Sequence, residues 1–168
     1  MIKSKNTILV TIQNLKKDNY DPPMELQRTL RSIGALAEIV TPYNDLSIHS
    51  RFKVTCWNFI TCLSKINGFS ILIPILFFLK GLEIYRQVKI QWMDFDRILV
   101  YDLISYFSAR KASKDQIPII FHTHYGCDPY LAYLHQYGVQ KRRLGYILMQ
   151  KFIIALFNQP IHKLLSSS

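Results

Sequence analysis

The sequence predicts a three-layer α/β sandwich with a mostly parallel sheet. Short apolar, β-branched runs alternate with stretches that have the spacing of amphipathic helices, as in consecutive βαβ units. A chain of 168 residues, 49% of them hydrophobic and 19% charged, is long enough to bury a core. We therefore expect one domain over residues 1–168. Its predicted strands are Thr7–Ile12, Ala35–Val40, Arg97–Tyr101 and Ile117–His122.

The first predicted βαβ unit contains a capped helix. Asp21 can accept hydrogen bonds from free N–H groups at the helix start, and Pro22 and Pro23 suit the first turn. Gly34 is placed to end the helix. The loop before this helix has no glycine, so the Rossmann dinucleotide fingerprint is absent and we expect no cofactor. The face predicted to be buried carries Leu26, Leu30 and Ile33.

The middle of the chain is apolar and rich in helical patterns. Phe69–Leu79 has eleven residues without a charge, whereas a membrane span needs about twenty. Three interpretations stay open: a buried core helix kinked at Pro74, a helix at the membrane interface beside basic residues, or a span. Helices are predicted over Arg51–Ile66 and over Leu82–Met93. The first is expected to bury one face that carries Phe52, Cys56, Phe59 and Leu63.

The charge balance is strongly basic. Lys and Arg number 21 and Asp and Glu number 11, giving a formal net charge of +10. Such a surface suits an anionic membrane, a nucleic acid, or simply an aqueous environment. The basic residues are scattered without a nucleic-acid-binding motif, so we expect no nucleic-acid partner. The three cysteines form no pattern and no signal peptide opens the chain, which indicates a cytoplasmic protein with reduced thiols.

Residues capable of chemistry follow the third and fourth predicted strands. Asp102 comes after one strand and His124 after the next, and the carboxyl ends of parallel strands are where α/β folds bind ligands. Gly126 leaves room for a ligand near the backbone. An aspartate and a histidine at adjacent strand ends can act as an acid–base pair or bind sugar hydroxyls. We expect Asp102 and His124 to face one cleft.

The pair His122 and His124 permits another interpretation. An HxH pair on an extended strand end can hold a divalent metal, as in metal-dependent hydrolases, if further His or carboxylate ligands are present. His135 and Asp128 are the nearest candidates, and neither has a diagnostic spacing. We therefore predict no metal site and assign His122 a structural role in the first instance.

The run from Asp96 to Gly126 resembles the amino-terminal domain of family 4 glycosyltransferases of the GT-B fold. Tyr101-Asp102 stands where that family often has His-Asp. His122 stands where the family usually has threonine, and the first loop lacks the family's glycine pair. The positions that match the family pattern are Asp96, Ile98-Leu99-Val100, Pro118-Ile119-Ile120-Phe121 and His124.

The resemblance implies a Rossmann-like acceptor-side domain, half of a GT-B fold, that stops before the donor-binding domain. The implied function is transfer of a sugar from a nucleotide sugar to a lipid-linked or saccharide acceptor of the cell envelope. It further implies attachment to the inner face of the membrane, and inactivity of the 168-residue chain alone. The implied site residues are His124 and Asp102 for catalysis and Gly126, Tyr125 and His122 for substrate binding.

Two rival functions follow from the residues alone. One is a non-catalytic α/β protein that uses its basic face to bind a membrane or a partner. The other is the HxH metal hydrolase described above.

Overall fold

The structure is a computed structural model that describes residues 5–13, 15, 22–43, 48–64, 69, 72–122, 147–148 and 151. The chain divides into two compact units. The first comprises residues 1–44 and 80–124, and the second comprises residues 45–79 and 125–168. The sheet belongs entirely to the first unit.

Four strands form one parallel sheet in the order β2-β1-β3-β4. The strands are β1 (Thr7–Val10), β2 (Ala37–Val40), β3 (Arg97–Val100) and β4 (Ile119–Phe121). The helices are α1 (Pro22–Ser32), α2 (Ile48–Ser64), α3 (Leu72–Gln91) and α4 (Leu103–Ser113). The predicted α/β class and parallel sheet are confirmed, and the sheet is consistent with a Rossmann-like fold.

Each strand is shorter than predicted, and next to β1 and β2 the flanking residues form hydrogen bonds outside the sheet. The Ile12 N–H leaves the sheet after β1 and donates to the Asp102 carboxylate at 2.9 Å. Ahead of β2, the Ala35 N–H donates to the Leu30 carbonyl at 3.0 Å and closes the end of α1. These residues therefore belong to turns and caps, although their side chains continue the apolar pattern.

Helices cover both faces of the sheet. Side chains on a strand alternate between faces, so Leu9 and Ile8 point in opposite directions. Leu9 packs in a core cluster with Leu30 of α1. On the other face, Tyr106 of α4 meets the Phe121 ring edge-on at 6.2 Å between centroids. The strand residues of the first unit that are fully shielded from water include Ile8, Leu9, Val10, Ile98 and Val100.

Helix α1 confirms the predicted glycine cap and corrects the predicted buried face. Gly34 has φ +79°, the left-handed conformation that favours glycine, and its N–H donates to the Arg31 carbonyl. Leu30 is buried, but Ile33 lies beyond the last helical residue and is 64% exposed. Helix α1 ends at Ser32, one residue before Ile33, the last residue of the predicted apolar face.

The second unit corrects two further predictions. On α2, Phe52 and Phe59 lie on the exposed side, and Trp57 is the side chain buried instead. Pro74 does not lie in a helix interior, because α3 begins at Leu72 and places this proline in its first turn. The first-turn N–H groups have no partner within a helix, so a proline is accommodated there.

Candidate functional site

The carboxyl ends of the four strands bring several polar side chains to one edge of the sheet. Thr11 follows β1, Thr41 follows β2, Asp102 comes shortly after β3 and His122 follows β4. Thr11, Thr41 and Asp102 are buried, whereas His122 is partly buried. This edge is where open parallel sheets bind ligands, as expected from the sequence.

Asp102 is the N-cap of α4, and its carboxylate accepts three hydrogen bonds. The Ser105 N–H donates to Oδ1 at 2.7 Å, and the Ser105 hydroxyl donates to Oδ2 at 2.8 Å. The third donor is the Ile12 N–H. Asp102 therefore joins the loop after β1 to the start of α4, in addition to any role toward a ligand.

His122 lies one strand away from the Asp102 network. Its N–H donates to the Val100 carbonyl at 2.8 Å and extends the pairing of β3 with β4. Its ring meets the Tyr101 ring edge-on, with centroids 5.4 Å apart. The predicted site residues His124, Tyr125 and Gly126 lie outside the described residues.

Lys80 was not among the predicted site residues, yet its side chain lies at the same edge of the sheet. Its side chain is only 4% exposed, and its Nζ lies 5.3 Å from the centre of the Tyr43 ring. Burial lowers the pKa of the Lys80 ammonium to about 8, and the negative charge of Asp102 partly opposes this change. A buried cation thus lies beside the buried carboxylate of the same edge.

The position of Lys80 follows from the helical period of α3. Ile84 and Val88 are fully buried, and Lys80 precedes them by four and eight residues on the same stripe. Extending the apolar stripe of Ile84 and Val88 by one turn toward the amino end of α3 would have predicted that Lys80 is buried. A Cβ added at the adjacent Gly81 would lie only 3.0 Å from Ile104 Cγ2, so α3 and α4 approach closely here.

Neither a metal-binding cluster nor a membrane-spanning helix is found in the part of the chain that the structure describes. No group of three or more His, Cys, Asp or Glu side chains within the described residues is placed to hold a metal ion. Within the same part of the chain, no helix has both the length and the apolar character needed to cross a membrane.

Comparisons of the chain with protein-family models, with curated proteins and with solved structures found no match.

The titration of Lys80 predicts a change of stability with pH. Its pKa is about 8 in the folded protein and about 10.5 in the unfolded chain, so the unfolded chain binds more protons between these values. The contribution of Lys80 to the free energy of unfolding should therefore rise with pH, by about 2 kcal/mol between pH 7.5 and 9.5. Urea denaturation at both pH values measures it.

The control for this titration is Lys80→Met, which removes the ionisable group while keeping an apolar side chain. The pH-dependent rise should be smaller in Lys80→Met by the same amount. Equal pH profiles for the two proteins would show that Lys80 titrates normally.

Proposed function

We propose that this chain is the acceptor-binding half of a glycosyltransferase-like enzyme that works together with a donor-binding half. The observation that supports this most is the pairing of β3 with β4 as parallel neighbours. These two strands carry the sequence that resembles family 4 glycosyltransferases. Their pairing brings Asp102 and His122 to the same edge of the sheet.

The proposed reaction transfers a sugar from a nucleotide sugar to a lipid-linked or saccharide acceptor of the envelope. In this proposal His124 acts on the acceptor hydroxyl, because a histidine with a pKa near 6.5 suits proton transfer at neutral pH. The same proposal assigns acceptor binding to Tyr125, Gly126 and His122. Asp102 fixes the loop after β1 and the start of α4 through its hydrogen bonds. In this proposal it is therefore a positioning residue.

The test combines the chain with a candidate donor-binding half. The 168-residue chain alone should show no turnover of a radiolabelled nucleotide sugar, because one wall cannot orient two substrates. Co-expression with the product of a neighbouring reading frame that carries a Glu-x7-Glu motif should give transfer to a membrane-lipid extract. Turnover by the chain alone, or no transfer by the two proteins together, would contradict the proposal.

A second candidate is a non-catalytic protein that binds an anionic membrane. Exposed aromatic side chains on the second unit favour it: Phe52 is 72% exposed, Phe59 is 63% exposed and Phe78 is 55% exposed. Large exposed apolar side chains often mark contact surfaces. Combined with a net charge of +10, they suit a surface of anionic lipid.

This candidate predicts adsorption to anionic vesicles that weakens with salt. Cosedimentation should show more binding to vesicles with anionic lipid than to neutral ones at about 0.05 M salt, and a loss at about 0.5 M. Phe52→Ser with Phe59→Ser should reduce binding. Ile90→Ser, which removes an 84% exposed side chain from the first unit, should not. Equal adsorption to both vesicle types at low salt would exclude the prediction.

A further inference from the structure

The ammonium of Lys80 has unused hydrogen-bonding capacity inside the protein. Its contacts within the described residues are the face of the Tyr43 ring and the electrostatic influence of Asp102, and no described residue accepts a hydrogen bond from Nζ. A lysine ammonium carries three N–H donors. Burial of the side chain leaves this ammonium with little water around it, so an oxygen acceptor at this position would be bound favourably.

The neighbouring carboxylate does not fill this need. The hydrogen bonds described above for the Asp102 carboxylate come from the Ile12 N–H and from the N–H and hydroxyl of Ser105, and none of them comes from Lys80 Nζ. Three donors and the start of α4 offset much of the negative charge of that carboxylate. The adjacent ammonium therefore keeps an attraction for a further oxygen acceptor.

The location of Lys80 points to a ligand and not to a purely structural ion pair. Tyr43 comes from the loop after β2, and Asp102 comes from the junction of β3 and α4. Lys80 thus lies where the chain leaves two strands on either side of β1. Ligands of open parallel sheets bind outside the carboxyl ends of the strands, at this kind of position.

We propose that the carboxyl edge of this sheet binds a small oxyanion, of the phosphoryl or sulfuryl class, on the Nζ of Lys80. A compact ammonium at a strand end is a common phosphate ligand, because it acts as a point charge with several donors. Tyr43 forms one wall of the site, and Asp102 holds the opposite side through its bonds to Ile12 and Ser105. This site lies at the same sheet edge as the proposed transferase site and shares Asp102 with it, but its test does not require sugar transfer.

Binding at this site depends on the protonation of Lys80. The groups that face it are the Asp102 carboxylate and the Tyr43 ring. With a pKa of about 8, most of Lys80 is charged at pH 7 and most is neutral at pH 9. Sulfate keeps its own charge over this range. Its affinity should therefore fall about tenfold from pH 7 to pH 9, whereas an ordinary lysine near 10.4 predicts almost no change.

The experiment is a calorimetric titration of the full chain with sodium sulfate, with sodium chloride added to keep the ionic strength constant. We expect a dissociation constant on the order of 1 mM at pH 7. Lys80→Met should weaken binding at least tenfold. Lys111→Met is the matched control, because its exposed ammonium also lies over a tyrosine ring, 5.9 Å from the centre of Tyr85.

Two results would overturn the proposal. One is sulfate binding by Lys80→Met that equals binding by the unmodified protein. The other is an affinity of the unmodified protein that stays constant from pH 7 to pH 9, and this test holds even if Lys80→Met fails to fold. Competition by inorganic phosphate would support a free phosphate as the ligand. Competition by short-chain phosphatidylglycerol alone would support a lipid headgroup.

Discussion

Replacing Asp102 with alanine should lower the free energy of unfolding by about 3–5 kcal/mol. The change removes the cap of α4 and leaves the buried Ile12 and Ser105 N–H groups without their acceptor. It also leaves the Lys80 ammonium buried without a nearby counter-charge. Urea denaturation, followed by circular dichroism, measures the loss.

Two variants at the same position separate these causes. Asp102→Asn keeps an oxygen for the cap but turns an amide NH₂ group toward one of the donors. Its free energy of unfolding should therefore lie between those of the wild type and of Asp102→Ala. Combining Asp102→Ala with Lys80→Met should recover part of the loss, because the unpaired ammonium is gone. If the double variant is less stable than the sum of the two single losses predicts, the proposed stabilising interaction between Asp102 and Lys80 is wrong.

The matched surface control is Asp115→Asn. Asp115 is 56% exposed and its carboxylate accepts from Arg110 Nε at 2.9 Å. Its φ of 58° is a left-handed conformation that asparagine tolerates. The stability cost should stay below about 1 kcal/mol, since exposed ion pairs contribute little.

His124→Ala should lower sugar transfer about 100-fold or more when the chain is joined to its donor-binding half. In the proposed reaction, this substitution removes the group that moves the proton of the acceptor hydroxyl. His122→Ala is the neighbouring control and should affect transfer much less, because the His122 ring packs against Tyr101. The measurement is initial rate at saturating donor, with circular dichroism as a check of folding.

Equal and small effects of the two histidine substitutions would mean that His124 is not the acid–base group. An equal loss in both, with normal folding, would assign proton transfer to the histidine pair instead of to His124 alone.

The strands of this fold could be predicted because local sequence carries their signal. Short β-branched runs gave the position and the parallel pairing of all four strands. Their ends could not be predicted, since they depend on partners far along the chain. Ile12 looks like a strand residue, yet its N–H bonds to Asp102, ninety residues away.

The burial of some polar and apolar side chains could not be predicted from the local sequence pattern. Lys80 follows eleven uncharged residues and was not predicted to be buried, yet the stripe it shares with Ile84 and Val88 is buried. Phe52 and Phe59 have helical spacing, yet Trp57 is buried in their place. Periodicity identifies an apolar face but cannot tell which face a neighbouring element will cover.

The pairing of β1 with β3 has a consequence for synthesis on the ribosome. Thr7 pairs with Ala37 on one side and with Arg97 on the other, so the two partners of β1 emerge at very different times. About sixty residues separate the ends of β2 and β3, which is roughly 3 to 12 seconds of translation at 5–20 residues per second. Throughout that interval one edge of β1 has no β3 to pair with, so its backbone N–H and C=O groups are open to pairing with another chain.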